Sequence, residues 1–183
     1  IPMIVYDPRA EADACRGQHS DALVEGIDLI PTFVAALGGE PAYNRLEGHS
    51  LQPLLFGADD SEWRDAAFSE IDYSMRDARA ILNQPPAEAR GYMVRTRRYK
   101  YLFWENFPAL LFDMHADPAE QNDLGPDPAS VEIMAEMRER LFRWFRQRKL
   151  RLTRTNAQIV ATGGEKGTLR RGIHRGYWGP GEE

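Results

Sequence analysis

The chain has 183 residues, of which 43% are apolar, and includes four Trp and a single Cys. That is enough apolar chain for a folded body with its own core, while one cysteine excludes an internal disulfide framework and apolar runs such as 102–104 and 109–112 are far too short to cross a bilayer. The net charge of −5 is unevenly placed, with 24 acidic and 11 basic side chains in residues 1–137 against 4 and 12 in residues 138–183, so an acidic body speaks against nucleic-acid binding and a basic tail suits an acidic protein surface.

Residues 1–6 have the apolar density of a buried strand, closed by Asp7-Pro8. A strand of that kind needs neighbours, so the first residue reads as a cut boundary. No basic stretch followed by an apolar one marks a signal peptide, and with the lone cysteine this points to a cytoplasmic location. The chain to Gln18 is polar and loop-like, and residues 23–27 read as a short strand. Asp28 fits the N-cap of a helix with Pro31 in its first turn, running through Leu37 and stopping at Gly38-Gly39. A second short helix is expected from an N-cap at Ser50, with Pro53 early in it, to Gly57. Residues 66–71 predict a strand, and 74–90, aperiodic and carrying Pro85-Pro86, a surface excursion. Residues 92–94 and 99–104 are dense in aromatic and β-branched side chains around a tight basic turn, and 110–113 complete a three-strand meander.

From Asp127-Pro128 a long helix is predicted, with Val131, Met134, Leu141, Phe142 and Phe145 on its inner face. Acidic residues lie early in it and basic ones late, as the helix dipole favours. Beyond Lys149 the period fades into an Arg/Gly-rich arm.

Five constellations could carry chemistry. Asp113, His115 and Asp117 alternate as a strand-borne metal site would, but Asp117-Pro118-Ala119-Glu120 is also a strand-exit turn with Asp117 as cap and Glu120 in the capping-box position. The turn is the preferred reading. His19, His49 and His174 have no second ligand at metal-binding spacing. Cys15 sits in Cys15-Arg16-Gly17-Gln18-His19, which lacks the Pro and Arg of the Cys-x-Pro-x-Arg run that formylglycine maturation requires, so a plain loop cysteine is expected. Arg95, Arg97, Arg98 and Lys100 around Tyr99 and Tyr101 read as a hairpin with charges in water and tyrosines in the core, in preference to a base-stacking surface. The eight basic residues of 138–154 interleave with Leu141, Phe142, Trp144 and Phe145, which fits a helix packed on a sheet better than a membrane-surface helix.

Several landmarks fall in a familiar order: Ile1-Pro2-Met3-Ile4-Val5-Tyr6-Asp7-Pro8, Ile27-Asp28-Leu29-Ile30-Pro31-Thr32, Glu47-Gly48-His49-Ser50-Leu51 with Leu54-Leu55, Met93-Val94-Arg95-Thr96 with Tyr99-Lys100-Tyr101, then Leu111-Phe112-Asp113 with Asp117-Pro118-Ala119-Glu120 and Asn122-Asp123-Leu124. Together they resemble the C-terminal third of sulfatases and phosphonate monoester hydrolases of the alkaline phosphatase superfamily. Arg171-Gly172-Ile173 to Gly176-Tyr177-Trp178 resembles the tail of the phosphonate monoester hydrolases.

The resemblance implies an α/β parent enzyme, of which this chain is an α+β part: a small antiparallel sheet of about four strands packed on a long C-terminal helix, plus an extended arm. On that reading residues 1–60 end the hydrolase core, 61–149 form the sheet subdomain, and 150–183 form the basic arm. It further implies that the parent hydrolyses sulfate esters, phosphonate monoesters or phosphodiesters with a divalent metal (Mn, Ca, Mg or Zn) and, in some members, a formylglycine. No catalytic or metal-binding residue carries over onto this chain, which alone is expected to be inactive. The partners implied are the N-terminal catalytic portion and further copies of the chain, held through the arm by Tyr177 and Trp178, with neither nucleic acid nor membrane. A non-catalytic interaction or oligomerisation module with a basic tail is the alternative.

Overall fold

The computed structural model of the chain describes residues 3–148, 155, 157–158, 169–170 and 173–174. Its centre is an antiparallel sheet in the order β1-β2-β3-β4, made of β1 (Ala66–Asp72), β2 (Arg90–Thr96), β3 (Tyr99–Trp104) and β4 (Leu110–Asp113). The tight basic turn between β2 and β3 is closed by Thr96, whose hydroxyl accepts from the Tyr99 N–H at 2.9 Å and donates to the Tyr99 carbonyl at 3.2 Å. The register sets Phe68 opposite Val94, Val94 opposite Tyr101 and Tyr101 opposite Leu111, so one face carries a continuous apolar row.

Helix α4 (Val131–Gln147) lies across that face. Its entry is fixed by Asp127, whose side chain accepts from the Ala129 N–H at 2.9 Å, with Pro128 opening a 3-10 turn (Pro128–Ser130) where no N–H is needed. Val94, Tyr101 and Leu111 from the sheet and Met137 and Leu141 from the helix form the buried core. Ring pairs tie the layers together, with Trp144 stacked on Phe68 at 5.0 Å and Phe145 edge-on to Tyr92 at 4.9 Å. The inner stripe of the helix differs from expectation at one end. Val131 is 64% exposed while Met137 is buried. At 100° per residue Val131 sits about 80–120° around the helix from Met137 and Leu141, off the side that meets the sheet.

Ahead of the sheet come α1 (Leu29–Ala36) and α2 (Gln52–Leu55), each closed by a glycine at positive φ, Gly38 at +78° and Gly57 at +84°. Ser50 accepts from the Gln52 N–H at 3.3 Å, close to the N-cap role expected. The two early strands do not form. Residues 3–8 are coil with Ile4 93% exposed, because no strand among the described residues offers them a partner. Residues 23–27 run into a 3-10 turn (Gly26–Asp28) instead, wound by a capping box in which Glu25 and Asp28 bond each other's backbone. A further 3-10 stretch (Ala10–Cys15) occupies the expected loop, and the 74–90 excursion carries a short helix α3 (Asp77–Ile81). In the arm, β5 (Leu169–Arg170) pairs antiparallel with β6 (Ile173–His174).

Candidate docking face and polar joint

The segment before the sheet is fastened to it by buried charges. Asp28 stands at the N-cap of α1, yet its side chain makes no cap bond to that helix, which corrects the role expected of it. Its carboxylate is fully buried and turns away from the helix. It accepts from the N–H groups of Glu25 and His49, both at 2.8 Å, and is paired with the Arg64 guanidinium. Arg64 also donates to Glu25 at 2.7 Å, and the other Glu25 oxygen accepts from the Phe68 N–H on the outer edge of β1. Thr32 donates to the Asp28 carbonyl at 2.6 Å and accepts from the Leu51 N–H at 2.8 Å, which ties α1 to the entry of α2. Trp63 donates to the Leu23 carbonyl at 2.9 Å, and His49 meets its ring edge-on. Gly48 makes the approach feasible, since a Cβ there would lie 2.2 Å from the Ile27 carbonyl oxygen. Asp28 and Arg64 are 36 residues apart, and no local signal marks Arg64 in the sequence.

Burial pushes the Glu25 carboxyl above its ordinary value of 4.5, with the Phe68 N–H and Arg64 pulling the other way. A group raised on folding contributes stability that is present in full below pH 4.5 and is lost as pH rises through the raised value. A carbon-detected titration of this side chain is expected to show its midpoint above 4.5, and one at or below 4.5 would mean that the ion pair outweighs burial.

The opposite side of this segment is apolar and open. Helix α1, LIPTFVAA, is apolar almost all round, the pattern of a helix inside a larger core. Only Pro31 and Thr32 are buried, whereas Ile30, Phe33 and Leu37, at spacings of three and four, are exposed, Leu37 at 89%. Ile27 and the coil residues Ile4 and Tyr6 are exposed as well.

Apart from Asp28 and His49, the residues singled out in the sequence fall elsewhere. Asp113 accepts from the N–H groups of His115 and Ala116 at 3.0 and 3.3 Å and pairs with Arg98, while Asp117 accepts from the Asn122 N–H at 2.7 Å, so this stretch is a turn. Burial works against the Asp113 charge, but Arg98 and the two N–H groups hold its carboxyl below the usual range. Glu120 does not close a capping box. It has φ +56° and pairs with Lys100 at 2.6 Å. Arg97 pairs with Asp60, and Tyr101 is buried in the core, as the hairpin reading expects. Cys15 is a free thiol at the end of its 3-10 stretch, His19 is exposed, and His174 belongs to β6. Tyr177 and Trp178 lie outside the described residues. Among the described residues no three His, Cys, Asp or Glu side chains are grouped to hold a metal ion, so these residues do not fit the divalent cation that the resemblance implies for the parent. No described helix is long and apolar enough to cross a membrane. A shallow groove of about 570 Å³ between the start of β1 and α4 is lined by Arg140, already paired with Asp65 and Glu136, and by the Phe68–Trp144 stack.

An antiparallel four-stranded sheet backed by one long helix, carrying an open apolar segment in front, defines an α+β C-terminal part of an alkaline-phosphatase-like hydrolase. Two solved phosphonate monoester hydrolases are similar to the chain in structure: that of Agrobacterium radiobacter, at TM-score 0.61 and 27% identity over 70% of this chain and 26% of its own, and SpPMH of Silicibacter pomeroyi, at 0.63 and 27% over 75% and 28%. The chain belongs to the sulfatase family defined by the C-terminal region of N-sulphoglucosamine sulphohydrolase, whose model matches residues 1–147. The multifunctional alkaline phosphatase superfamily protein PehA of Trinickia caryophylli is 30% identical over 151 residues, which are 79% of this chain and 28% of PehA. Human arylsulfatase A is 30% identical over 143 residues, 64% of this chain and 25% of that enzyme. The chain thus spans less than a third of the length of the curated relatives it matches.

Proposed function

We propose that this chain is the C-terminal part of a metal-dependent hydrolase of sulfate esters or of phosphonate monoesters and phosphodiesters. The nucleophile and metal ligands come from polypeptide outside these residues. The observation that carries the reading is the open apolar side of α1 in a chain of this family. An almost wholly apolar helix with Ile30, Phe33 and Leu37 in water is a core helix lacking its cover, and the catalytic body supplies it. The polar joint then sets the angle at which the sheet subdomain closes on that body. Residues 150–183 hold copies of the enzyme together, with Tyr177 and Trp178 as apolar anchors.

The test is turnover of an aryl sulfate and an aryl phosphonate monoester by the whole protein, with and without a chelator. Hydrolysis of at least one ester, abolished by chelation and restored by a divalent cation, is expected. Leu37→Glu is expected to reduce it together with the thermal midpoint. Absence of turnover on both esters, or turnover indifferent to chelation, refutes the metal-dependent hydrolase. Unchanged activity and stability in Leu37→Glu refutes the docking of α1.

A further inference from the structure

The outer edge of β1 is only partly closed. Tyr73 continues the β1–β2 register by donating its N–H to the Ala89 carbonyl at 2.9 Å. Backbone groups alternate along an antiparallel strand, so the odd-numbered residues of β1 bond β2 and the even-numbered ones face outward. Phe68 agrees, since its outward N–H is taken by Glu25. Beyond it the N–H and C=O of Glu70 and the N–H of Asp72 point away from β2, and among the described residues no strand lies on that side. Such an edge can accept one more strand.

Helix α4 delivers the chain to this place. Trp144 is stacked on Phe68 of β1. Arg148, one residue past the helix, donates to the Glu70 carboxylate at 3.2 Å, and its guanidinium lies over the Trp144 ring. Its backbone has left the helical conformation, with φ −53° and ψ 139°, and is extended. The chain therefore leaves the helix within two side-chain lengths of Glu70.

The sequence that follows suits the edge. In Lys149-Leu150-Arg151-Leu152-Thr153-Arg154 the two leucines alternate with polar or basic residues, as in a strand with two unlike faces. Three of the six are basic and none is acidic, while the edge presents the exposed acids Glu70 and Asp72. Six extended residues reach about 20 Å, more than the open stretch of β1 requires. A segment tethered beside the edge is also present at high effective concentration, whereas any more distant one must close a longer loop.

We propose that residues 149–154 pair with β1 at Glu70 and Asp72 as a fifth strand of the sheet. The pairing does not rest on the hydrolase reading, and it leaves the chain beyond residue 154 to the role proposed for the arm.

The test is amide hydrogen exchange in the whole protein, resolved at Ser69, Glu70 and Asp72, for wild type, Leu152→Pro and Arg151→Glu. Both changes lie outside the core cluster, and the thermal midpoint confirms that each variant is folded. In the wild type the Glu70 N–H is expected to exchange slowly. Leu152→Pro, which removes a backbone donor and bends the segment, is expected to speed it about tenfold or more, and Arg151→Glu to speed it less. The Ser69 N–H, which faces Met93 of β2, is expected to stay as it was. Fast exchange at Glu70 in the wild type overturns the proposal. So does slow exchange that neither variant changes, which would mean that another part of the polypeptide covers the edge. Equal acceleration at Ser69 and Glu70 overturns it as well, because the segment would then steady the sheet as a whole without pairing at its edge.

Discussion

Replacing Arg64 with alanine is expected to destabilise the folded chain by about 3–5 kcal/mol, the usual cost of stranding buried charge. Arg64 is the counter-ion of a fully buried Asp28 and a mostly buried Glu25, with side-chain exposures of 0% and 15%. Removing it leaves the Glu25 and His49 N–H groups as the remaining donors to the Asp28 carboxylate, with no cation beside it. Asp28 and Arg64 share one network, so the combination of Asp28→Asn with Arg64→Ala should cost less than the two single changes added. Denaturant unfolding of the four proteins measures this directly. A loss below about 1 kcal/mol for Arg64→Ala would mean that water reaches the joint and the pair behaves as a surface salt bridge.

Leu141→Ala is expected to cost about 2–5 kcal/mol, and Val131→Ala, ten residues earlier on the same helix, less than about 0.5 kcal/mol. Leu141 is fully buried in a cluster with Val94, Tyr101, Leu111 and Met137, contributed by three strands and the helix, so the surroundings cannot collapse onto the space left. Val131 is exposed and packs on none of them. Thermal unfolding of the pair separates the two cases. Equal losses would show that α4 is rotated from the position described.

The contrast between those positions also marks where the sequence could be read. The meander β2–β3–β4 was legible to within two residues, because aromatic and β-branched side chains crowd both flanks of a short basic turn and β4 follows at once. Helix α4 was legible in extent from its cap at Asp127 and its period. Its inner stripe was legible at Met134, Leu141 and Phe145 but not at Val131, since period alone does not fix the edge of a stripe on a helix that has apolar residues on more than one side. Residues 3–6 and 23–27 failed as strands for a different reason. Apolar density shows that a segment is to be covered, not what covers it, and here the backbone of 23–27 was claimed by the reciprocal bonds of Glu25 and Asp28. The joint itself was out of reach: Asp28 read naturally as a helix cap, and its partner Arg64 stands in a polar stretch, Ser61-Glu62-Trp63-Arg64-Asp65, that looks like any solvated turn. The family landmarks did mark the place, because Asp28, Thr32 and Gly48 all fall within them.

The bond from the Phe68 N–H to Glu25 has a further consequence for solubility. β1 is an outer strand of the sheet, and outer strands offer unpaired backbone groups on which another polypeptide can build a ladder. The Glu25 carboxylate plugs one of these groups near the start of the strand, while the remaining stretch ends in the exposed acids Glu70 and Asp72. One group of that edge is therefore stopped by a side chain from the preceding segment, and its far end is guarded by charge. The protection at Phe68 arises only when the front segment has folded into place. Glu25 thus acts as a stopper on this edge, and a chain in which the front segment is displaced exposes that backbone group to pairing with another strand.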